Sequence, residues 1–384
     1  MRHYNSVFHG LQKLVPWAEF DRLVEKHRAD HRVRRLTTKG QFLALLFGQL
    51  SGASSLREIE AGLASQSARL YHAGGQCVAR STLADANARR PAALFADLFA
   101  SMAATACRRT RRHLADALVI LDATRLELST LSKGWLSAQN DHRAVKLHVA
   151  YDLSAQSPLD VAITDQRVND ILPARVLPIE PGMTYVFDLA YYDYAWWAAL
   201  DARGCRFVSR LKSNTPLTTV AEQAVPDDPN ILGDRIGFLP QRMAHARHNP
   251  FAAPVREVTV RIATGKVIRL VTNDLDAPAS EIAGLYKQRW QIELFFRWIK
   301  QNLKLRHFLG ASENAVRIQI LVALIAYLVL RAAHQAQAAV RQPLAFARLI
   351  RINLMHRRPI DELAGPPKPI PRDTRQLTLN LAKT

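Results

Sequence analysis

Leu118-Val119-Ile120-Leu121-Asp122 and Thr184-Tyr185-Val186-Phe187-Asp188 are short, almost wholly apolar runs, and each ends on an acid. Such runs are too short and too evenly apolar to be amphipathic helices, and they read as buried β-strands. Each would fix the backbone of an aspartate where the strand leaves the sheet. Arg206-Phe207-Val208-Ser209-Arg210-Leu211 is a further strand, and Lys146–Asp152 and Asp160–Thr164 alternate with period two. A short helical stretch near Asp170–Leu177 and an aromatic helix over Tyr194–Asp201 lie between them. The order β-β-β-α-β-α-β describes a mixed sheet with helices, an α/β fold.

The rest of the chain divides around this core. Residues 1–113 carry helical patterns and are expected to form an all-α N-terminal domain that binds DNA. Within it, Ser54-Ser55 is a helix start with Glu58 in the first turn. Ser81–Arg90 reads as a second short helix with a basic end, and the pair suggests a helix-turn-helix-like reader. An ordinary helical domain with a solvated basic face explains the same residues. Cys107–His113 is the strongest basic run and marks the junction into the core. Residues 114–212 form the first part of the core and 213–275 a β-rich insertion, in which Val258–Ile262 and Val267–Val271 flank Thr264-Gly265-Lys266 as a hairpin. Residues 276–340 supply the last helices of the core. Residues 341–384 are read as a C-terminal helix and a mobile tail from Gly365.

Lys and Arg total 52 against 33 acids, a net charge of +19. That balance favours a polyanionic partner, because each phosphate paired with a cation releases condensed counterions. Cys77, Cys107 and Cys205 have neither zinc nor disulfide spacing, which fits a reduced, cytosolic setting. The most apolar run, Ile320–Leu330, is shorter than the roughly 20 residues of a membrane span and reads as a buried helix. No membrane association is expected.

Cleavage of a phosphodiester with two metal ions needs acidic side chains that converge on cations about 3.5–4 Å apart. Mg²⁺ prefers oxygen ligands and keeps some of its waters, so a few carboxylates suffice. Asp122 and Asp188 are candidates, although an acid at a strand end often only caps the following turn. Near residue 290, Tyr286, Arg289, Glu293 and Lys300 follow the spacing Tyr-x2-Arg-x3-Glu-x6-Lys. On one helix these four lie within about 60° of each other. Leu285, Ile292, Phe296 and Ile299 form the adjacent apolar stripe. A salt-bridged surface helix is the plainer explanation of the same spacing.

The stretch Tyr286–Gln301 resembles the signature helix of the IS4-type DDE transposases. Phe207–Asn214 is similar to the strand that follows the second acid in that family, and Leu270–Leu275 to the approach to the signature helix. The resemblance covers roughly residues 116–335. It implies an RNase H-like mixed-sheet core with a β-rich insertion between the second and third acids. It implies Asp122, Asp188 and Glu293 as catalytic, metal-binding carboxylates, and Tyr286, Arg289 and Lys300 as contacts to transposon-end DNA. Two Mg²⁺ ions, replaceable by Mn²⁺, and cut-and-paste transposition follow from it. The expected partners are double-stranded DNA, as terminal inverted repeats and as target, and a second copy of the chain in the DNA complex. The family commonly has Gly two residues after the second acid, where this chain has Ala190. A nuclease without strand transfer and a non-catalytic DNA-binding regulator are the alternatives.

Arg210 and Lys212, just after a core strand, are further candidates for phosphate contact. Asp193 reads as a helix cap rather than a ligand, and Asp116 and Asp152 have similarly structural readings. His148 reads as a satisfied structural histidine. Trp196, Trp197, Trp290 and Trp298 could stack on an extruded base, with packing as the default.

Overall fold

The computed structural model describes residues 5–70, 74–111, 117–128, 135, 143–241, 248–305 and 308–363. Asp116, the side chains of residues 109–113 and the tail from Gly365 lie outside the described residues.

Seven helices come first: α1 (Val7–Gln12), α2 (Trp17–Lys26), α3 (Thr38–Ser51), α4 (Leu56–Ser65), α5 (Ser67–Leu70), α6 (Arg80–Arg89) and α7 (Ala92–Arg111). The start of α4 follows from its sequence. Ser55 Oγ accepts the N–H of Glu58 at 3.1 Å, and the Glu58 carboxylate accepts the N–H and hydroxyl of Ser54 at 2.8 and 2.6 Å. Arg90, read as part of a basic helix end, is instead buried. Its guanidinium donates to Asp30 at 3.1 Å and to Thr38 Oγ1 and the Leu36 carbonyl. It therefore joins the loop before α3 to the end of α6 and adds nothing to an exposed basic face.

The core follows as β1 (Leu118–Leu128), β2 (Arg143–Asp152), β3 (Ser157–Asp165), α8 (Ile171–Val176), β4 (Thr184–Val186), α9 (Tyr194–Asp201) and β5 (Arg206–Leu211). Next come β6 (Thr218–Glu222), β7 (Ile231–Phe238), β8 (Val255–Arg261) and β9 (Val267–Thr272). The helices α10 (Ala279–Gln288), α11 (Trp290–Asn302), α12 (Glu313–Gln335) and α13 (Pro343–Asn353) complete the chain. All nine strands form one sheet in the order β3-β2-β1-β4-β5-β9-β8-β7-β6. β1, β4 and β5 are mutually parallel, and the described ladders on either side of them are antiparallel. This is the RNase H-like arrangement, an antiparallel β1–β3 meander continued by two parallel strands. The strands of residues 213–275 extend the same sheet through the β5–β9 ladder.

Helices cover both faces. On one face α11 and α12 pack on Ile120, Leu147, Val149 and Tyr151, and the same apolar cluster continues through α3 and α7. On the other, the aromatic residues of α9 pack against Phe187 and Phe207. The run at Ile320–Leu330 lies inside the 23-residue helix α12, longer than the run itself. By length and composition α12 could cross a membrane, but 83% of its most apolar window is buried inside the fold. It is the central core helix, in contact with α3, α6 and α7.

Candidate active site

Strand register places the two aspartates side by side. In the parallel ladders Ile120 pairs with Val186, and Val186 with Val208. Two residues further along each chain stand Asp122, Asp188 and Arg210, at one level across the carboxyl ends of β4 and β5. Side chains alternate along a strand. All three therefore point to the same face as Ile120 and Val186, the face covered by α10 and α11. Asp122 is not the last residue of its strand, as the sequence suggested. β1 runs on to Leu128 because β2 continues to pair with it as far as Arg143. β4 stops at Val186, so Asp122 lies where β1 has lost its neighbour on one side.

Local bonds fix both acids. Asp122 Oδ1 accepts the N–H of Ala123 at 2.8 Å, and Asp188 Oδ1 accepts that of Ala190 at 2.8 Å. Asp188 thus caps the 3₁₀ turn Leu189–Tyr191 as well as facing the site. Ala190 has a negative φ, unlike the residues in the left-handed region, so this turn does not require glycine.

The segment with the Tyr-Arg-Glu-Lys spacing is two consecutive helices, α10 and α11, meeting at Arg289. Arg289 keeps a right-handed backbone, and its N–H bonds to Tyr286 O at 3.1 Å. The turn tightens there without reversing, and the spacing still delivers its residues to one place. Arg289 Nη2 lies 2.8 Å from Glu293 Oε1, and Nη1 lies 3.3 Å from Asp122 Oδ2. Its guanidinium carbon is 6.0 Å from the centre of the Tyr286 ring. One arginine therefore joins the first and third acids. Lys300 is half-buried two turns beyond Glu293, about 10 Å along the axis at 1.5 Å per residue. The described contacts of Arg289 do not extend to it.

Burial is the main force on the Asp122 carboxyl, which is pushed up to about 6 from an ordinary 3.8. Asp188 and Glu293 push it the same way, whereas the Ala123 N–H and Arg289 oppose. Burial also raises the Tyr286 hydroxyl; Arg289 and Arg210 oppose that rise and Asp188 adds to it. The three acids, two arginines and Tyr286 thus share one electrostatic neighbourhood. Tyr191, which the sequence reading passed over, belongs to it. Burial raises its hydroxyl well above the usual value, with contributions from Asp122, Asp170 and Asp188. Its position three residues after the second acid was the available signal.

A stability prediction follows for protein held in chelator. Folded chains keep the Asp122 proton up to about pH 6 and unfolded chains release it near 3.8. Stability therefore falls as pH rises through that window. Asp122→Asn removes the buried charge, and should stabilise the fold at pH 8 by up to about 3 kcal/mol and by almost nothing at pH 4. Denaturant unfolding at both pH values checks this. A variant less stable than the parent at pH 8 would show that Arg289 outweighs the burial.

The remaining candidates sort cleanly. Asp193 Oδ1 caps α9 by accepting the N–H of Trp196 at 2.8 Å, and its other oxygen pairs with Arg175. Asp152 accepts the N–H of Ala155 at 2.9 Å in the β2–β3 turn. His148 is buried, 2.8 Å from Thr164 Oγ1, and burial lowers its imidazole to about 4. Trp196 and Trp197 are core residues, and Trp298 stands edge-on to Tyr327. Trp290, beside Arg289, is 51% exposed. Lys212 Nζ lies 4.4 Å from the centre of the Tyr192 ring, and Arg210 Nε is buried without a hydrogen-bond partner among the described residues.

Three carboxylates offset by one guanidinium suit a hard divalent cation in donor chemistry. Among the described residues, no three acid, histidine or cysteine side chains converge closely enough to hold a common ion. Arg289 stands between Asp122 and Glu293 instead.

Residues 114–329 match the family described as "Transposase DDE domain", and residues 3–76 match a "Domain of unknown function (DUF4372)". "Putative transposase y4zB" of Sinorhizobium fredii is 42% identical over 289 residues, 74% of this chain and 80% of that protein. "Probable transposase for insertion sequence element IS5377" of Geobacillus stearothermophilus is 31% identical over 270 residues, 67% and 68% of the two chains. The solved piggyBac transposase synaptic complex with hairpin DNA aligns at 12% identity with a TM-score of 0.44, over 91% of this chain and 78% of that one. The domain match spans more than half the sequence, from just before the strand that carries Asp122 to the last third of α12, and on that ground the chain belongs to the DDE transposases, enzymes that cut and join DNA.

Proposed function

We propose that Asp122, Asp188 and Glu293 form the catalytic carboxylate set of a cut-and-paste transposase that holds two Mg²⁺ ions, with Mn²⁺ able to replace them. Use of divalent metals is general in the family. The observation that carries the assignment is the common level of Asp122 and Asp188 together with the Arg289 bridge to Glu293. The three carboxylates would hold the ions. When bound, the ions supply Lewis acidity to the attacking and leaving oxygens of an in-line displacement. The chain's own residues do the rest. Arg289 and Arg210 bring the scissile phosphate toward the acids. Tyr286 lines the site with a half-buried ring that excludes water, and Tyr191 packs behind the second acid against Phe187 and Trp196. Water first attacks the phosphodiester at the element end and displaces the element's 3′-hydroxyl, which then attacks a target phosphodiester and displaces the target's own 3′-hydroxyl. The N-terminal helices are assigned to DNA recognition, and a homodimer to the complex with two ends.

The test is strand transfer. The full chain in Mg²⁺ should join a pre-cut end duplex to a supercoiled target. Cleavage of uncut ends with no joining would leave only a nuclease.

Arg289 has two possible partners, the acids and an incoming phosphate. A guanidinium can hold a phosphate with two parallel hydrogen bonds and an ammonium cannot. Arg289→Lys should therefore weaken end binding nearly as much as Arg289→Ala, about tenfold for one charge-assisted contact. Lys300→Ala should weaken it less, since Lys300 lies two turns away. An Arg289→Lys variant that binds end DNA as the parent does would leave Arg289 as a partner of the acids only.

A further inference from the structure

The turn after β5 is held by one side chain. Arg269, on β9, donates from Nη1 to the carbonyl oxygens of Lys212 at 3.0 Å, Ser213 at 3.1 Å and Thr215 at 2.8 Å. Its Nε and Nη2 grip Glu257 at 2.8 and 2.6 Å. Glu257 is buried and also pairs with Arg235. The carboxylate thus fixes the guanidinium, and the guanidinium fixes the turn. Thr215 Oγ1 lies 2.9 Å from the Tyr192 hydroxyl, which ties the turn to the segment that follows Asp188.

A trans peptide directs its N–H away from its C=O. The carbonyls of Lys212 and Ser213 face Arg269, so the N–H groups of Ser213 and Asn214 face the other way. Neither donates to any described acceptor, and Lys212, Ser213 and Asn214 are all exposed. Two successive outward N–H groups in a turn can receive an anion, and the Lys212 ammonium stands nearby, 4.4 Å from the centre of the Tyr192 ring. This turn begins two residues past Arg210, just beyond the end of β5, and the buried Arg210 Nε has no partner among the described residues.

We infer that residues 212–214 form a nest for a DNA backbone phosphate beside the catalytic acids, and that Arg269 is the positioning residue that turns their carbonyls inward without touching DNA. The inference rests on the proposed function, in which Arg210 helps bring a DNA phosphate toward the acids. Arg269→Lys tests it because a lysine can still meet Glu257 but cannot span three carbonyls.

The experiment uses the full chain and end duplexes in which single phosphates are replaced by neutral methylphosphonates. In the parent, one position should weaken binding about tenfold. In Arg269→Lys that position should lose its effect, because the contact is already gone. The exposed pair Lys212→Ala and Asn214→Ala should behave the same way, and should flatten the dependence of log K on log salt by about 0.9. That pair decides the matter if Arg269→Lys does not fold. Penalties that simply add at every phosphate, or unchanged end affinity in the Lys212→Ala and Asn214→Ala variant, would overturn the nest while the parent still cleaves. A parent that neither binds nor cleaves end DNA would overturn the function beneath it.

Discussion

Asp122→Asn, Asp188→Asn and Glu293→Gln should each lower end cleavage and strand transfer by about a thousandfold, because a ligand charge worth several kcal/mol of transition-state stabilisation is lost at about 1.4 kcal/mol per decade. Each replacement keeps the shape of the side chain and can still accept a hydrogen bond. The bonds to Ala123 and Ala190 N–H can therefore survive, and with them the local backbone. End binding should change little, since the cations proposed to meet phosphate stay in place. Asp122→Asn carries an added signature: the variant should be inactive and, without metal, more stable at pH 8 than the parent. A merely structural aspartate would show the reverse, with activity kept and stability lost. Any one of the three variants cleaving ends at near the parental rate in Mg²⁺ would remove that residue from the site.

Asp234→Ala should destabilise the fold by about 3–5 kcal/mol, the usual cost of stranding one partner of a buried ion pair. Asp234 and Arg256 have side chains only 1% and 7% exposed and meet through two bonds, at 2.8 and 2.6 Å. Arg256 also donates to the carbonyls of Leu275 and Ala277, immediately before α10. The pair thus fastens β7 and β8 to the start of the helices that present Arg289 and Glu293. Its loss leaves a buried guanidinium with carbonyl acceptors and only the charges of Asp274 and Asp276, neither of which it hydrogen-bonds, to balance it. Asp234→Asn, which keeps one acceptor, should cost less than Asp234→Ala. Equilibrium unfolding in denaturant measures both. A loss below about 1 kcal/mol for Asp234→Ala would mean that water replaces the carboxylate, and that the pair sets register rather than stability.

Much of this was legible without a structure because it rests on short-range pattern. The apolar runs at β1, β4 and β5, the aromatic helix α9 and the β8–β9 hairpin were each recognised from a few consecutive residues. The spacing of Tyr286, Arg289 and Glu293 survived a break between two helices, since Arg289 keeps a right-handed backbone there. Strands β6 and β7 escaped notice. Thr218–Glu222 is exposed and bears one large apolar residue, and Ile231–Phe238 holds two glycines and a bulge, so neither shows clean alternation.

Local sequence determined which residues could be catalytic: two acids on buried strands, a third on a helix between cations, and a strong excess of positive charge for DNA. Tertiary structure decided where they meet. The parallel register of β1, β4 and β5 sets Asp122, Asp188 and Arg210 at one level, and no window of sequence contains that register. The length of β1 beyond Asp122 depends on a partner strand, not on its own composition. The choice of Arg289 to bridge Asp122 and Glu293, and of Arg269 to turn three carbonyls inward, joins residues 167 and 54–57 positions apart. Hydrophobic periodicity acts over a few residues and fixes elements. Pairing register and buried charge act across the whole chain, and here they make the site.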